Sequence, residues 1–234
     1  INKLLNFIFI IISTISYAQV DVVYTDLVWS DEFNTNGAVD GTKWFHQTQL
    51  PTGSSWYNGE LQHYTNQLDN SSANNGNLSI TAKRQSFTDQ GFTKEFTSAR
   101  LNSKLPFLYG RVDVRAKLPA GNGTWPAIWA LGDNISTAGW PNCGEIDIME
   151  HVGNQLNKIY GSLHYPGNSG GNANSSTVNI PTATTDFHIY SIEWNASSII
   201  FYVDNQVYKT FANSASVPFN QNFFVILNVA LGGN

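Results

Sequence analysis

The 234 residues suit one domain with a sizeable core. Only 12% of them are charged, the net charge is −5, and Lys and Arg form no cluster, which excludes the concentrated positive patch that nucleic acid binding needs. Core filling accounts for part of the seven Trp and the 13% aromatic content, and flat rings that stack on sugar faces are one use for the remainder.

Residues 1–18 read as a secretory signal peptide. Lys3 supplies a positive start, Phe7 to Ile12 is a short apolar run, and Ser16 and Ala18 are small residues at the two positions a signal peptidase inspects. Cleavage is expected before Gln19, leaving a domain of residues 19–234 outside the cytoplasm, extracellular or periplasmic. The apolar run is short for a span, so no stable membrane association is expected; an N-terminal anchor is the alternative. The chain opens on Ile1 rather than Met, so its start is expected to lie upstream.

Strand signals then follow in order. Leu78–Ala82 and Phe96–Leu101 are short strands, and Arg111–Leu118 alternates polar and apolar residues, the period of a half-buried strand. Phe187–Trp194 and Ile199–Val203 are rich in β-branched and aromatic residues, and Asp204-Asn205 turns the second of them into Gln206–Phe211 as a hairpin. Phe223–Leu231 is nearly all apolar and should be covered on both faces. Asn70–Asn77 and Gly167–Ser176 read as loops, and no stretch carries a strong helical period. The pattern is all-β: a two-sheet antiparallel sandwich, most simply a jelly roll, with no repeat or second domain. The stop at Gly232-Gly-Asn234, straight after an apolar strand, reads as a cut that removes a final strand.

The chemistry concentrates in Glu145-Ile-Asp-Ile-Met-Glu150. Glu145 and Asp147 share a strand face, with Ile146 and Ile148 on the other. Strict alternation would bury Glu150, at a cost of several kcal/mol. A β-bulge near Ile148-Met149 removes the conflict by tucking Met149 inward and returning Glu150 to the acidic face. Three acids so close cannot all ionise cheaply, so at least one pKa should rise; the expectation is that Glu150 rises and Glu145 does not. Glycoside hydrolysis needs such a pair, one carboxylate and one carboxylic acid. The two glutamates stand roughly 13 Å apart at Cα, at about 3.3 Å per residue, and inward-leaning side chains can bring the carboxyls to the retaining separation of about 5–6 Å. A hard-cation site of three acids and a solvated acidic face are the competing readings. Cys143, the lone cysteine, excludes an intramolecular disulfide and is either a small buried residue or a nucleophilic thiol.

This segment resembles the signature of glycoside hydrolase family 16, in the form of its laminarinase-like (endo-β-1,3-glucanase) branch, which keeps the extra residue. Val28–Phe33, Gly59–Thr65, Thr97–Arg100, Gly110-Arg111, Trp125–Trp129 and Asn228–Asn234 follow in the family's order, so the resemblance covers the chain beyond the signal peptide. It implies a bent, concanavalin-like jelly roll with a concave sugar-binding cleft, and a retaining endo-hydrolase. Glu145 resembles the nucleophile, Glu150 the acid/base, and Asp147 the residue hydrogen-bonded to the nucleophile. Trp125 and Trp129, four apart and so on one strand face, are expected in the cleft together with Trp140 and His164, each with a core or structural role as the alternative. The resemblance also brings Asn58, Glu60 and Arg100 to the sugar face, although Trp56-Tyr-Asn-Gly-Glu60 departs from the family's usual Trp-Gly-Asn-Asn-Glu at Asn58, and a structural salt bridge competes for Arg100. Asn228 interrupts an apolar strand, so its amide must bond either sugar or neighbours. Glu32 and the backbone of Gly76 match two positions of a structural Ca2+ site. No cofactor is expected for catalysis. The expected partner is a β-1,3-glucan polysaccharide, and the expected unit a monomer. Another activity of the family, on mixed-linkage glucan or red-algal galactan, and a non-catalytic glucan-binding module are the alternatives.

Overall fold

The computed structural model describes residues 24–233 apart from residue 52; the signal segment lies outside the described residues. In chain order the strands are β1 (Trp44–His46), β2 (Gln62–Tyr64), β3 (Ser71–Asn74), β4 (Asn77–Ile80), β5 (Lys83–Asp89), β6 (Phe92–Ser98), β7 (Arg100–Ser103), β8 (Gly110–Ala116), β9 (Thr124–Gly132), β10 (Glu145–His151), β11 (Lys158–His164), β12 (Asn174–Asn179), β13 (His188–Trp194), β14 (Ser198–Val203), β15 (Gln206–Ala212) and β16 (Phe223–Leu231). A seven-stranded sheet runs β1-β7-β16-β9-β10-β11-β12, and a four-stranded sheet runs β15-β14-β13-β8. They meet face to face where β10 lies over β13 and β12 over β15. The smaller sheets are β2-β6-β5 and β3-β4.

The sandwich is the expected one, with local differences. β2 and β6 pair in parallel, an exception to the antiparallel expectation. Asn70–Asn77 is not a loop: its polar residues build β3 and open the β3–β4 hairpin, which turns on Asn75-Gly76 at φ 51° and 73°. Both positive values suit the tight turn type that Asn-Gly favours. The Gly167–Ser176 segment is a loop only in its first part, because β12 begins at Asn174. Phe96–Leu101 is divided at Ala99 between β6 and β7, which belong to different sheets. One short helix, Ile135–Ala138, precedes β10.

The core lies between the two large sheets. Ile146, Ile148, Met149, Ile159 and Leu163 descend from one, and Tyr190, Ile192, Trp194, Ile199 and Phe201 rise from the other. Trp194 is the hub. Phe107, Tyr109 and Phe223 meet its ring edge-on at 5.1–5.9 Å, and its Nε1 donates to the Phe219 carbonyl at 2.8 Å. β16 is buried on both faces, as its composition requires. In β15 an irregularity opposite Phe201 and Tyr202 turns both Tyr208 and Lys209 toward the interior. Trp194→Ala removes an aromatic hub and orphans a carbonyl contact. It is expected to lower unfolding free energy by about 3–5 kcal/mol, read as a shift of the urea midpoint without a change of slope.

Candidate active site

The acidic face is built by a register change in β10. Against β9, Asp147 pairs with Trp129 and Met149 with Ile128; against β11, Asp147 pairs with Ser162 and Glu150 with Tyr160. Ile148 is therefore the extra residue. Ile148 and Met149 both point into the core, while Glu145 and Glu150 remain partly open on the other face and Asp147 lies buried between them. The Ile148 carbonyl accepts a bond from the Tyr208 hydroxyl at 3.4 Å, so one sheet's irregularity meets the other's.

Each glutamate is held by an indole. Trp140 Nε1 donates to Glu145 Oε2 at 3.1 Å, and Trp125 Nε1 donates to Glu150 Oε1 at 3.0 Å. Trp140 is 47% exposed and lies 5.7 Å from the His164 ring, so it lines the site. His164 Nε2 is 3.0 Å from Asp147 Oδ2 and 3.6 Å from Glu145 Oε1. The described hydrogen bonds join Asp147 to Glu145 nowhere; the imidazole stands between them, in place of the direct bond that the resemblance implied. Glu145, Asp147 and His164 offer ligand atoms within 4.8 Å of one another. Yet His164 Nδ1 accepts the Gly170 N–H at 3.1 Å, so in the neutral ring the hydrogen sits on Nε2, the nitrogen turned toward the acids, although buried Asp147 Oδ2 has no hydrogen-bond partner among the described residues.

A polar relay leads away from the acids. Trp129 Nε1 donates to Asn228 Oδ1 at 2.8 Å, Asn228 Nδ2 donates to the Tyr64 hydroxyl at 3.1 Å, and that hydroxyl donates to Glu60 Oε2 at 3.0 Å. Asn228 thus satisfies its amide with neighbours. Gln62 completes Glu60 at 2.6 Å. Arg100 forms no ion pair among the described residues. Its guanidinium lies 4.7 Å from the Trp129 ring and 5.3 Å from Trp56, with the side chain 8% exposed and Nε without a partner. Asn58 is exposed at φ 60° and its side chain joins none of these bonds. Away from the cleft, the Glu32 carbonyl and Asn34 Oδ1 lie 3.8 and 3.7 Å from where a Cβ on Gly76 would be, so the two expected cation positions adjoin. Tyr64, Gln62, Ser162 and Asn34 were not singled out from the sequence; only the alternate spacing of Glu60, Gln62 and Tyr64 leading into β2 could have pointed to the first two.

A family model described as glycosyl hydrolases family 16 matches residues 58–232. The chain belongs to glycosyl hydrolases family 16. It is 40% identical over 224 residues to the beta-glucanase of Rhodothermus marinus, covering 89% of this chain and 76% of that protein. It is 38% identical to the glucan endo-1,3-beta-glucosidase of Cryptopygus antarcticus, covering 89% and 81%. Among solved structures, LamA of Z. galactanivorans in complex with laminaritriose and laminaritetraose superposes with a TM-score of 0.83 at 41% identity, covering 88% of this chain and 89% of that one.

The electrostatics of this glycoside hydrolase depart from expectation at one carboxyl. Glu150 is raised by burial, opposed by the Trp125 N–H, His164 and the Ser162 hydroxyl. Glu145 is raised too, to about 8, by burial first and by the charge of Asp147 second, with His164 opposing. Asp147 is driven well above the usual carboxylate range by burial and then by Glu150. The expectation of an unshifted Glu145 fails because its depth and two acidic neighbours outweigh its cations. Cys143 is buried and its thiol is pushed up to about 11, by burial and then by Glu145, so it is the small buried residue and not a thiolate nucleophile.

A carboxyl raised in the folded state binds a proton that the unfolded chain releases. Stability therefore declines as pH climbs from the ordinary glutamate value toward 8. Glu145→Gln removes that decline. Its melting temperature relative to wild type is expected to be higher at pH 8 than at pH 5, checked by thermal denaturation at both.

Proposed function

We propose that this chain is a secreted, endo-acting, retaining β-1,3-glucanase that cleaves laminarin-like polysaccharides. The observation that carries the reading is the pair Glu145 and Glu150 on one open sheet face, each oriented by its own indole N–H. In the first step a Glu145 oxygen attacks the anomeric carbon, the glycosidic C–O bond breaks, and the proton of Glu150 passes to the leaving oxygen. In the second, water attacks the same carbon, its proton returns to Glu150, and the bond to Glu145 breaks. Two inversions give net retention. Asp147 and His164 lie against Glu145 and set its charge, with His164 and Arg100 favouring the carboxylate that attacks.

The choice of β-1,3-glucan is supported by the activity named for the Cryptopygus antarcticus relative and by the laminarin oligosaccharides bound to the Z. galactanivorans protein. The open face with Trp125, Trp129 and Trp140 suits stacking along a polymer, with Glu60 and Asn228 in the relay beneath and Arg100 against the Trp129 ring. A monomer suffices, because one chain supplies every group named. Export through residues 1–18 fits a substrate too large to enter a cell. The oxygen donors at Glu32, Asn34 and Gly76 suit a hard cation such as a structural Ca2+, remote from the chemistry, in which no cofactor takes part.

Reducing-end release from laminarin, with the new end appearing first as the β-anomer by proton NMR, is the expected result. Glu145→Gln, folded by its melting curve, should abolish it, and Glu150→Gln should lower turnover by roughly 10²–10⁴-fold. A folded wild type inactive on laminarin overturns the substrate assignment, and α-anomer release overturns the retaining mechanism.

A further inference from the structure

The two steps above leave unused a pair of hydroxyls beside Glu150 and a buried cation behind those hydroxyls. Trp125 Nε1 donates to Glu150 Oε1. An indole N–H can only donate, so Oε1 stays an acceptor and the acidic proton belongs on Oε2. Oε2 faces the Ser162 hydroxyl at 3.5 Å, and Ser162 Oγ is met in turn by Ser175 Oγ at 2.8 Å. Ser162 is 4% exposed, whereas Ser175 stands on the open edge strand. Unlike the indole, a hydroxyl donates or accepts by rotating about one bond.

Lys209 lies beneath these serines. It enters from β15 in the opposite sheet, is 5% exposed, and its ammonium donates to the carbonyl of Gly161 at 3.0 Å and to that of Asn174. Those are the residues immediately before Ser162 and Ser175. The bonds therefore tie the edge strand β12 to β11 at the level of the hydroxyl pair. Position 161 has to be glycine for this: a Cβ there would meet the Tyr208 hydroxyl at 2.2 Å. Burial lowers the Lys209 ammonium to about 8, opposed by the charge of Asp147.

We propose that Ser162, backed by Ser175 and clamped from beneath by Lys209, is a positioning residue for Glu150 that donates to Oε2 when Glu150 is a carboxylate and accepts from it when Glu150 is the acid. The inference rests on the reading of Glu150 as acid/base. In the first step the Oε2–H bond breaks, its proton goes to the leaving oxygen, and Ser162 turns to donate to the new carboxylate. In the second, the proton from water restores Oε2–H and Ser162 turns back. One fixed partner thus serves both protonation states without side-chain repacking.

The test compares kcat/KM, which reports the first step, on laminarihexaose and on 2,4-dinitrophenyl β-laminaribioside, whose leaving group needs no proton. For Ser162→Ala the loss on laminarihexaose is expected to exceed the loss on the dinitrophenyl glycoside by about tenfold, the scale of one hydrogen bond to a charged group. Lys209→Met should show the same preference. Equal losses on both substrates, or no loss on either, overturn the proposal. If Ser162→Ala fails to fold, Ser175→Ala at its exposed site decides by the same comparison. Wild type inactive on both substrates overturns the glucanase reading itself, an outcome distinct from failure of the serine's role.

Discussion

The extra residue in β10 is the constraint on which the site depends. Without it the alternation of a strand would send Glu150 into a core of Ile, Leu and aromatic side chains, where an unpaired carboxylate is costly. With it, Ile148 and Met149 are both core residues and three acids occupy one face. The irregularity frees the Ile148 carbonyl, and a second irregularity in β15 brings the Tyr208 hydroxyl to it. The same turn of β15 delivers Lys209 under β11 and β12. Two departures from regular pairing, one in each sheet, therefore form a single device.

The side chains that present a surface to sugar also orient the acids. Trp125 and Trp140 each spend their only polar atom on a glutamate, while Trp129 spends its own on Asn228. A buried amide, a buried phenol and a buried guanidinium are arranged behind them, so the floor of the cleft is polar yet dry. Such an environment strengthens every charge interaction within it. It also penalises any buried charge, and that burial is the first reason Glu145 rises alongside Glu150.

Much of this was legible in the residues. Phe223–Leu231 declared a strand buried on both faces, and the bulge followed from asking where Glu150 would otherwise go. The two segments misread as loops share one cause. Asn70–Asn77 and the end of Gly167–Ser176 are rich in Asn, Ser and Gly, whose turn preference masks short edge strands that need no apolar face. The upward shift of Glu145 depends on depth and on three-dimensional neighbours, which spacing along a strand does not express. Ser162 and Gln62 carry no signal of their own, since each residue type has many structural uses.

β16 has a consequence for the order of assembly. It is the latest strand of the described chain, yet it lies in the middle of the seven-stranded sheet, between β7 and β9. The segments made earlier can form hairpins such as β10–β11, but the pieces β1-β7 and β9-β10-β11-β12 have no shared edge until residues 223–231 arrive. Its register spans sequence separations of about a hundred residues, as in Leu227 against Ile128. Non-local pairing of this kind is slow to form. A growing polypeptide of this design therefore leaves its largest sheet in two separate pieces until residues 223–231 have been made, whatever else has already folded.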